Sequence, residues 1–178
     1  MGEVTPAQYR RSVRALHGDQ ADAVLSLYPA SSVADTLPAL SRMLTEMGFA
    51  ATARFAAACT SAPGRRSSAY LYQFSREPSV RVPGFPRGAF HGLEVAYVFG
   101  KMDTFGVRDP VDLRLSDEIV RLWTRFAARG DPNGTGEEVW PTYDPGTDRH
   151  LELGEALVVE TGLYKAACDL ADRIRLTP

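Results

Sequence analysis

Residues 69–74 read Ala-Tyr-Leu-Tyr-Gln-Phe, an aromatic and almost continuously apolar run. A strand with one wet face alternates apolar and polar residues, whereas a strand covered on both faces carries unbroken apolar sequence. The run is too short for a core helix, and Tyr70, Tyr72 and Phe74 suit a pleated sheet. It is expected to be a strand in the middle of a parallel or mixed sheet, with a neighbour on each side. The remaining chain offers only two more short strand candidates, residues 150–153 and 157–160, around a Gly154-Glu155 turn. That inventory leaves the central strand short of partners. Part of the sheet is expected to lie outside this chain, and the open strand edge is a surface for self-association.

Most of the rest reads as helix. Residues 1–62 are expected to be helical. Thr5-Pro6-Ala7-Gln8 has the form of a capping box with Pro at the first helical position. Tyr9, Val13 and Leu16 succeed one another on one face, and Gly18 is a natural stop. Asp19 is expected to cap a second helix carrying Val24, Leu25 and Tyr28. A third is expected from residue 36 or 37, with Pro38 in its first turn and Leu40, Met43, Leu44 and Met47 on its buried face. Gly48 interrupts that pattern, and an Ala-rich helix continues over residues 49–59. Residues 69–100 form a strand, an irregular loop and a histidine segment. The loop, residues 76–90, has no periodicity, and a structureless stretch of that length is usually functional. Residues 116–178 hold two helices and the short strands. Ser116 is expected to cap the first, with Ile119, Leu122, Trp123 and Phe126 as its buried stripe, and the last runs over about residues 163–174. The class is α/β and helix-rich, with one domain expected.

Charge narrows the function. Lys plus Arg number 20 against 22 Asp plus Glu, a net charge of −2. That balance carries no electrostatic footprint for nucleic acid or an anionic membrane. Arg10, Arg11 and Arg14 read as a solvated helix face. No apolar run is long enough to span a bilayer. The residues after Met1 lack the apolar core of a signal peptide, and localisation stays open. Two cysteines exclude a disulfide-rich scaffold and a four-cysteine zinc site. No His-Glu-x-x-His, P-loop or G-x-G-x-x-G segment occurs, so no metal or cofactor is expected. His17 and His150 read as structural or surface positions. His91 differs, because it comes after the loop and is flanked closely by Gly88 and Gly92. Glycine lets the backbone present a side chain in a tight place, so His91 is a candidate catalytic group, with a structural turn histidine as the alternative.

Two long motifs carry a family resemblance. Gly88-Ala-Phe-His-Gly-Leu-Glu-Val-Ala-Tyr-Val-Phe-Gly100 resembles the histidine segment of type-B carboxylesterases, the group of cholinesterases and bacterial para-nitrobenzyl esterases. Leu122-Trp-Thr-Arg-Phe-Ala-Ala-Arg-Gly-Asp-Pro-Asn-Gly134, followed by Trp140-Pro-Thr-Tyr-Asp144, resembles a second run of that family. Tyr70-Leu-Tyr72 and Tyr28-Pro29 are weaker echoes in the same order.

The resemblance implies the C-terminal part of an α/β-hydrolase fold that hydrolyses carboxylic esters through an acyl-serine. It makes His91 the catalytic histidine of a Ser, Asp or Glu, His triad. Glu94 would support the histidine region, or be a plain surface glutamate. The chain contains no G-x-S-x-G, no Asp-Glu-Gly acid segment and no Gly-rich oxyanion loop. Nucleophile and triad acid are therefore expected in an N-terminal part of the same fold, and this chain alone is expected to be inactive or nearly so. The alternatives are a non-catalytic cholinesterase-like binding module or a truncated gene product. Cys168 falls where cholinesterases have half of a disulfide. Cys59 lies about six positions past the place matching its partner, and about six residues turn a helix by about 600°, onto another face. No bridge is expected, and both cysteines are read as buried thiols.

Overall fold

The computed structural model describes residues 3–81, 84, 87–136 and 139–176. The chain divides into two compact units. One is Met1–Cys59 with Leu163–Pro178, and the other is Thr60–Gly162.

The first unit is all helix. α1 (Pro6–His17) starts at the capping box, with the Gln8 amide N–H on Thr5 Oγ1 and the Thr5 N–H on Gln8 Oε1 at 2.9 Å. Gly18 ends it at φ +50°. A 3₁₀ turn over residues 18–20 leads into α2 (Ala21–Leu27), which begins without the expected Asp19 side-chain cap. α3 (Val33–Met43) starts earlier than expected, because Asp35 accepts from the backbone N–H groups of Ser31 and Ser32 at 3.1 and 2.8 Å. Pro38 therefore sits inside the helix, where it removes one backbone donor. Leu44–Ala50 winds as a π-helix through Gly48, and α4 (Ala51–Thr60) continues from it. The chain's last helix, Lys165–Leu176, closes the unit. Tyr9, Val13, Val24, Tyr28, Ala39, Ala167 and Leu170 form its core. The Tyr9 hydroxyl donates to the Tyr28 carbonyl at 2.7 Å, so its buried oxygen is satisfied.

The second unit is built around a three-stranded mixed sheet. β1 (Tyr72–Phe74) pairs in parallel with β2 (Arg149–Leu153), with Tyr72 opposite Leu151. β2 pairs antiparallel with β3 (Leu157–Thr161). The strand order is β1-β2-β3. The expected central strand is thus three residues long and lies at an edge; among the described residues its other side has no strand partner. Its side chains are half-buried, not covered on both faces. Their aromatic character is used in one layer of rings. Tyr72 meets Trp123 at 5.2 Å and Trp140 at 5.8 Å, and Phe74 meets Tyr97 at 5.0 Å. Edge-to-face ring pairs at these distances are favourable.

Two helices flank this layer. α5 (Leu93–Val98) is the short apolar segment after His91. α6 (Pro110–Arg129) starts six residues before Ser116. Asp109 caps it by accepting from the Val111 N–H at 2.8 Å, which holds the Asp109 carboxyl below its usual range. Pro110 stands at its first position, and Gly130 ends it at φ +74°. Ser116, expected as the cap, is instead buried in the middle of the helix. Leu93, Tyr97, Leu115, Ile119, Trp140, Leu151 and Leu153 form the core of this unit.

Candidate functional site

His91 sits on a tight turn at the start of α5. The Leu93 N–H donates to the Phe90 carbonyl at 3.1 Å, closing a four-residue turn with His91 and Gly92 at its centre. Gly92 has φ +86° and ψ −5°. These are the angles of the third residue of a type II turn, a position that favours glycine. No side chain would clash at Gly92, so the requirement for glycine is conformational, not steric. Gly88 is also in the positive-φ region, at +94°. The sequence cue of flanking glycines is accordingly a backbone device that turns His91 outward. The histidine is exposed.

The helix on the C-terminal side of the turn anchors it. α5 buries Leu93, Ala96 and Tyr97 against the core. The Tyr97 hydroxyl donates to Asp112 Oδ1 at 2.9 Å, and Ser116 Oγ donates to the Tyr97 carbonyl at 2.8 Å. Asp112 also takes the Nε–H of Arg76, which leaves the sheet just after β1. Arg76 has a second ion partner in Glu155, at 3.3 Å. Burial, and then the Asp112 carboxylate, push the Tyr97 phenol well above its ordinary value. The network ties the strand exit, α5 and α6 to one buried carboxylate. Sequence reading missed Arg76, Asp112 and Ser116 as supports. One signal was present: Asp112 and Ser116 fall on the stripe of α6 that carries Leu115, Ile119 and Leu122. A polar residue on an apolar stripe has to find a partner when buried.

Glu94 lies in the first turn of α5 and is half-buried. The Tyr72 phenol is raised above its ordinary value mainly by burial and then by the charge of Glu94. A cavity of about 50 Å³ lies beside the turn, lined by Glu77, Ser79, Arg81, Arg87 and Phe90. That is far below the roughly 300 Å³ at which small-molecule sites begin. The loop leading to the turn includes residues 82, 83, 85 and 86, which lie outside the described residues.

The remaining histidines and the two cysteines lie away from the turn. His150, expected at the surface, is 3% exposed near the start of β2. Burial lowers its pKa against the opposing charges of Asp148, Glu152 and Glu160. His17 is half-buried at the end of α1, and burial lowers it as well. Cys59 and Cys168 are both free thiols, as expected, but only Cys168 is buried. Its Sγ lies 3.2 Å from the Leu163 carbonyl, while Cys59 is exposed on α4. Among the described residues, no group of three or more His, Cys, Asp or Glu is placed to hold a metal ion. No described helix is long and apolar enough to cross a membrane.

The chain is similar to known proteins in sequence and fold. The model of the carboxylesterase family matches residues 8–171. The medium-chain fatty acyl-CoA hydrolase precursor of Anas platyrhynchos is 40% identical over 87 residues, which cover 47% of this chain and 15% of that protein. The acetylcholinesterase of Gallus gallus is 34% identical over 107 residues, covering 58% of this chain and 14% of that protein. Among solved structures, a thermophilic PNB esterase superposes with a TM-score of 0.73 at 25% identity, covering 96% of this chain and 34% of that one. A second PNB esterase gives 0.69 at 26% identity, over 93% and 32%. The chain thus spans about a third of these solved relatives. Its sheet and helices are part of the larger α/β-hydrolase fold. With a match over nearly its whole length, the chain belongs to the carboxylesterase family.

Proposed function

We propose that this chain is the C-terminal portion of one α/β-hydrolase domain that hydrolyses carboxylic esters, and that His91 is its catalytic histidine. The observation that carries this reading is the turn itself. An exposed imidazole stands on a glycine-dependent type II turn, and the helix behind it is fastened by a buried hydrogen-bond network. A general base has to be held in one place yet reach its substrate.

In this reading a serine on an N-terminal part of the fold attacks the ester carbonyl. His91 accepts the serine proton and returns it to the leaving alcohol, leaving an acyl-serine. Water then attacks the acyl group; His91 takes its proton and gives it back to the serine as the acid departs. A triad carboxylate, also on the N-terminal part, keeps the imidazole in the correct tautomer. Glu94 steadies the histidine region from the first turn of α5. The small cavity beside the turn accords with pocket walls that come from the same N-terminal part.

The test has two arms with a p-nitrophenyl ester. The 178-residue chain alone is expected to show no His91-dependent turnover. Losing the serine costs about 10⁶-fold, and the oxyanion donors go with it. Supplying an N-terminal part that carries G-x-S-x-G is expected to restore turnover, and His91→Ala is expected to abolish it. Turnover by the chain alone that disappears in His91→Ala would overturn the need for a second part. Restored turnover that survives His91→Ala would remove His91 from the mechanism.

A further inference from the structure

α6 carries arginines that ester hydrolysis does not use. Arg114, Arg121 and Arg125 stand at i, i+7 and i+11, which a 3.6-residue period places on one face. They border an open groove of about 620 Å³. That volume lies within the range of small-molecule sites, about 300–1,000 Å³. The apolar part of its lining is Val139, Ala156 and Leu157, with Leu122 almost wholly buried. Among the described residues, one carboxylate, Glu118, lines the groove with the three guanidiniums. Arg114 donates to the Glu155 carbonyl at 3.4 Å. Among the described residues, Arg121 and Arg125 make no hydrogen bond or ion pair. Among the described lining residues, three cations therefore stand against one anion, in a chain of net charge −2.

We propose that this groove binds an organic anion with an apolar body, an alkyl carboxylate whose head is held by Arg121 and Arg125. The guanidinium fork matches a carboxylate with two parallel hydrogen bonds. Val139, Ala156 and Leu157 provide the apolar surface that an inorganic anion would leave unused and that an alkyl chain covers. The arginine rim excludes a cationic amphiphile of the same length. The groove's occupancy is read as binding, so its failure leaves the catalytic role of His91 untouched.

The experiment titrates the 178-residue chain with decanoate below its micelle concentration, by isothermal calorimetry. Saturable binding is expected. The double variant Arg121→Gln/Arg125→Gln is expected to weaken it about tenfold or more, since each lost charge-assisted hydrogen bond is worth about that factor. Arg10→Gln on α1 is expected to leave it unchanged. Arg121 is exposed and Arg125 half-buried, and circular dichroism checks that the double variant stays folded. Decyltrimethylammonium and inorganic phosphate are expected to bind more weakly than decanoate. The proposal is overturned by absence of saturable decanoate binding, by undiminished binding in the double variant, or by equal binding of either comparison ion.

Discussion

Replacing Asp112 with Ala removes the acceptor shared by Arg76 and Tyr97. Asp112 is fully buried, and the Arg76 side chain is 8% exposed. Breaking a buried pair by deleting one partner costs about 3–5 kcal/mol, because the remaining charge is stranded. Here the cost belongs near the low end, about 3 kcal/mol, since Arg76 keeps Glu155 at 3.3 Å and that carboxylate is wet. The stranded Tyr97 hydroxyl adds about 1 kcal/mol or more. Both tryptophans, Trp123 and Trp140, lie in the sheet-bearing unit, so tryptophan fluorescence in a urea titration reports on it. With a urea slope of about 2 kcal/mol per molar, a loss of about 4 kcal/mol lowers the midpoint by about 2 M. The companion experiment is the double variant Arg76→Met/Asp112→Leu, which leaves neither member of the pair stranded. It is expected to be more stable than Asp112→Leu alone, as replacement of whole buried ion pairs by apolar residues often is. An Asp112→Ala protein within about 0.5 kcal/mol of the parent, the range of an ordinary surface substitution, would refute the buried-acceptor role. A double variant less stable than Asp112→Leu would refute it equally.

Three other perturbations probe particular residues. Gly92→Ala forces an L-residue to φ +86° and is expected to destabilise by about 1–2 kcal/mol without any clash, read as a lowered urea midpoint. Burial lowers the His150 pKa in the folded protein, so the unfolded chain binds its proton first as pH falls. Stability is therefore expected to be intact above the unfolded value of about 6.5 and to decline below it, and His150→Gln should flatten that decline in melts at about pH 7.5 and 5.5. An unchanged slope in His150→Gln would assign the decline to other groups. Iodoacetamide is expected to modify Cys59 alone in the folded protein and both thiols in urea, which intact-mass measurement counts directly; prompt native modification of Cys168 would contradict its burial.

Much of the architecture was legible from local chemistry. The capping box at Thr5, the stop at Gly18, the hairpin around Gly154 and the stop at Gly130 depend on nearest neighbours, and each stands where its residues put it. The motif around His91 likewise marked a turn, because Gly92 is needed by backbone geometry and not by packing. The sequence also determined that β1 would be short of partners, since an apolar aromatic run demands cover that the other strands cannot provide. What local chemistry left open was which polar residues go inside. Ser116 has the chemistry of a helix cap, yet Asp109-Pro110 upstream makes a better start, and Ser116 then falls on the buried stripe. Asp112 and His150 carry polar side chains that alone predict exposure. Only the packing of α5, α6 and β2 decided otherwise, by bringing Arg76 and Tyr97 to Asp112 and by covering His150. Arg121 and Arg125 read as ordinary surface charges in one dimension. They become the rim of a groove only because the β2–β3 hairpin packs beside α6, and burial and juxtaposition of that kind are properties of the three-dimensional arrangement.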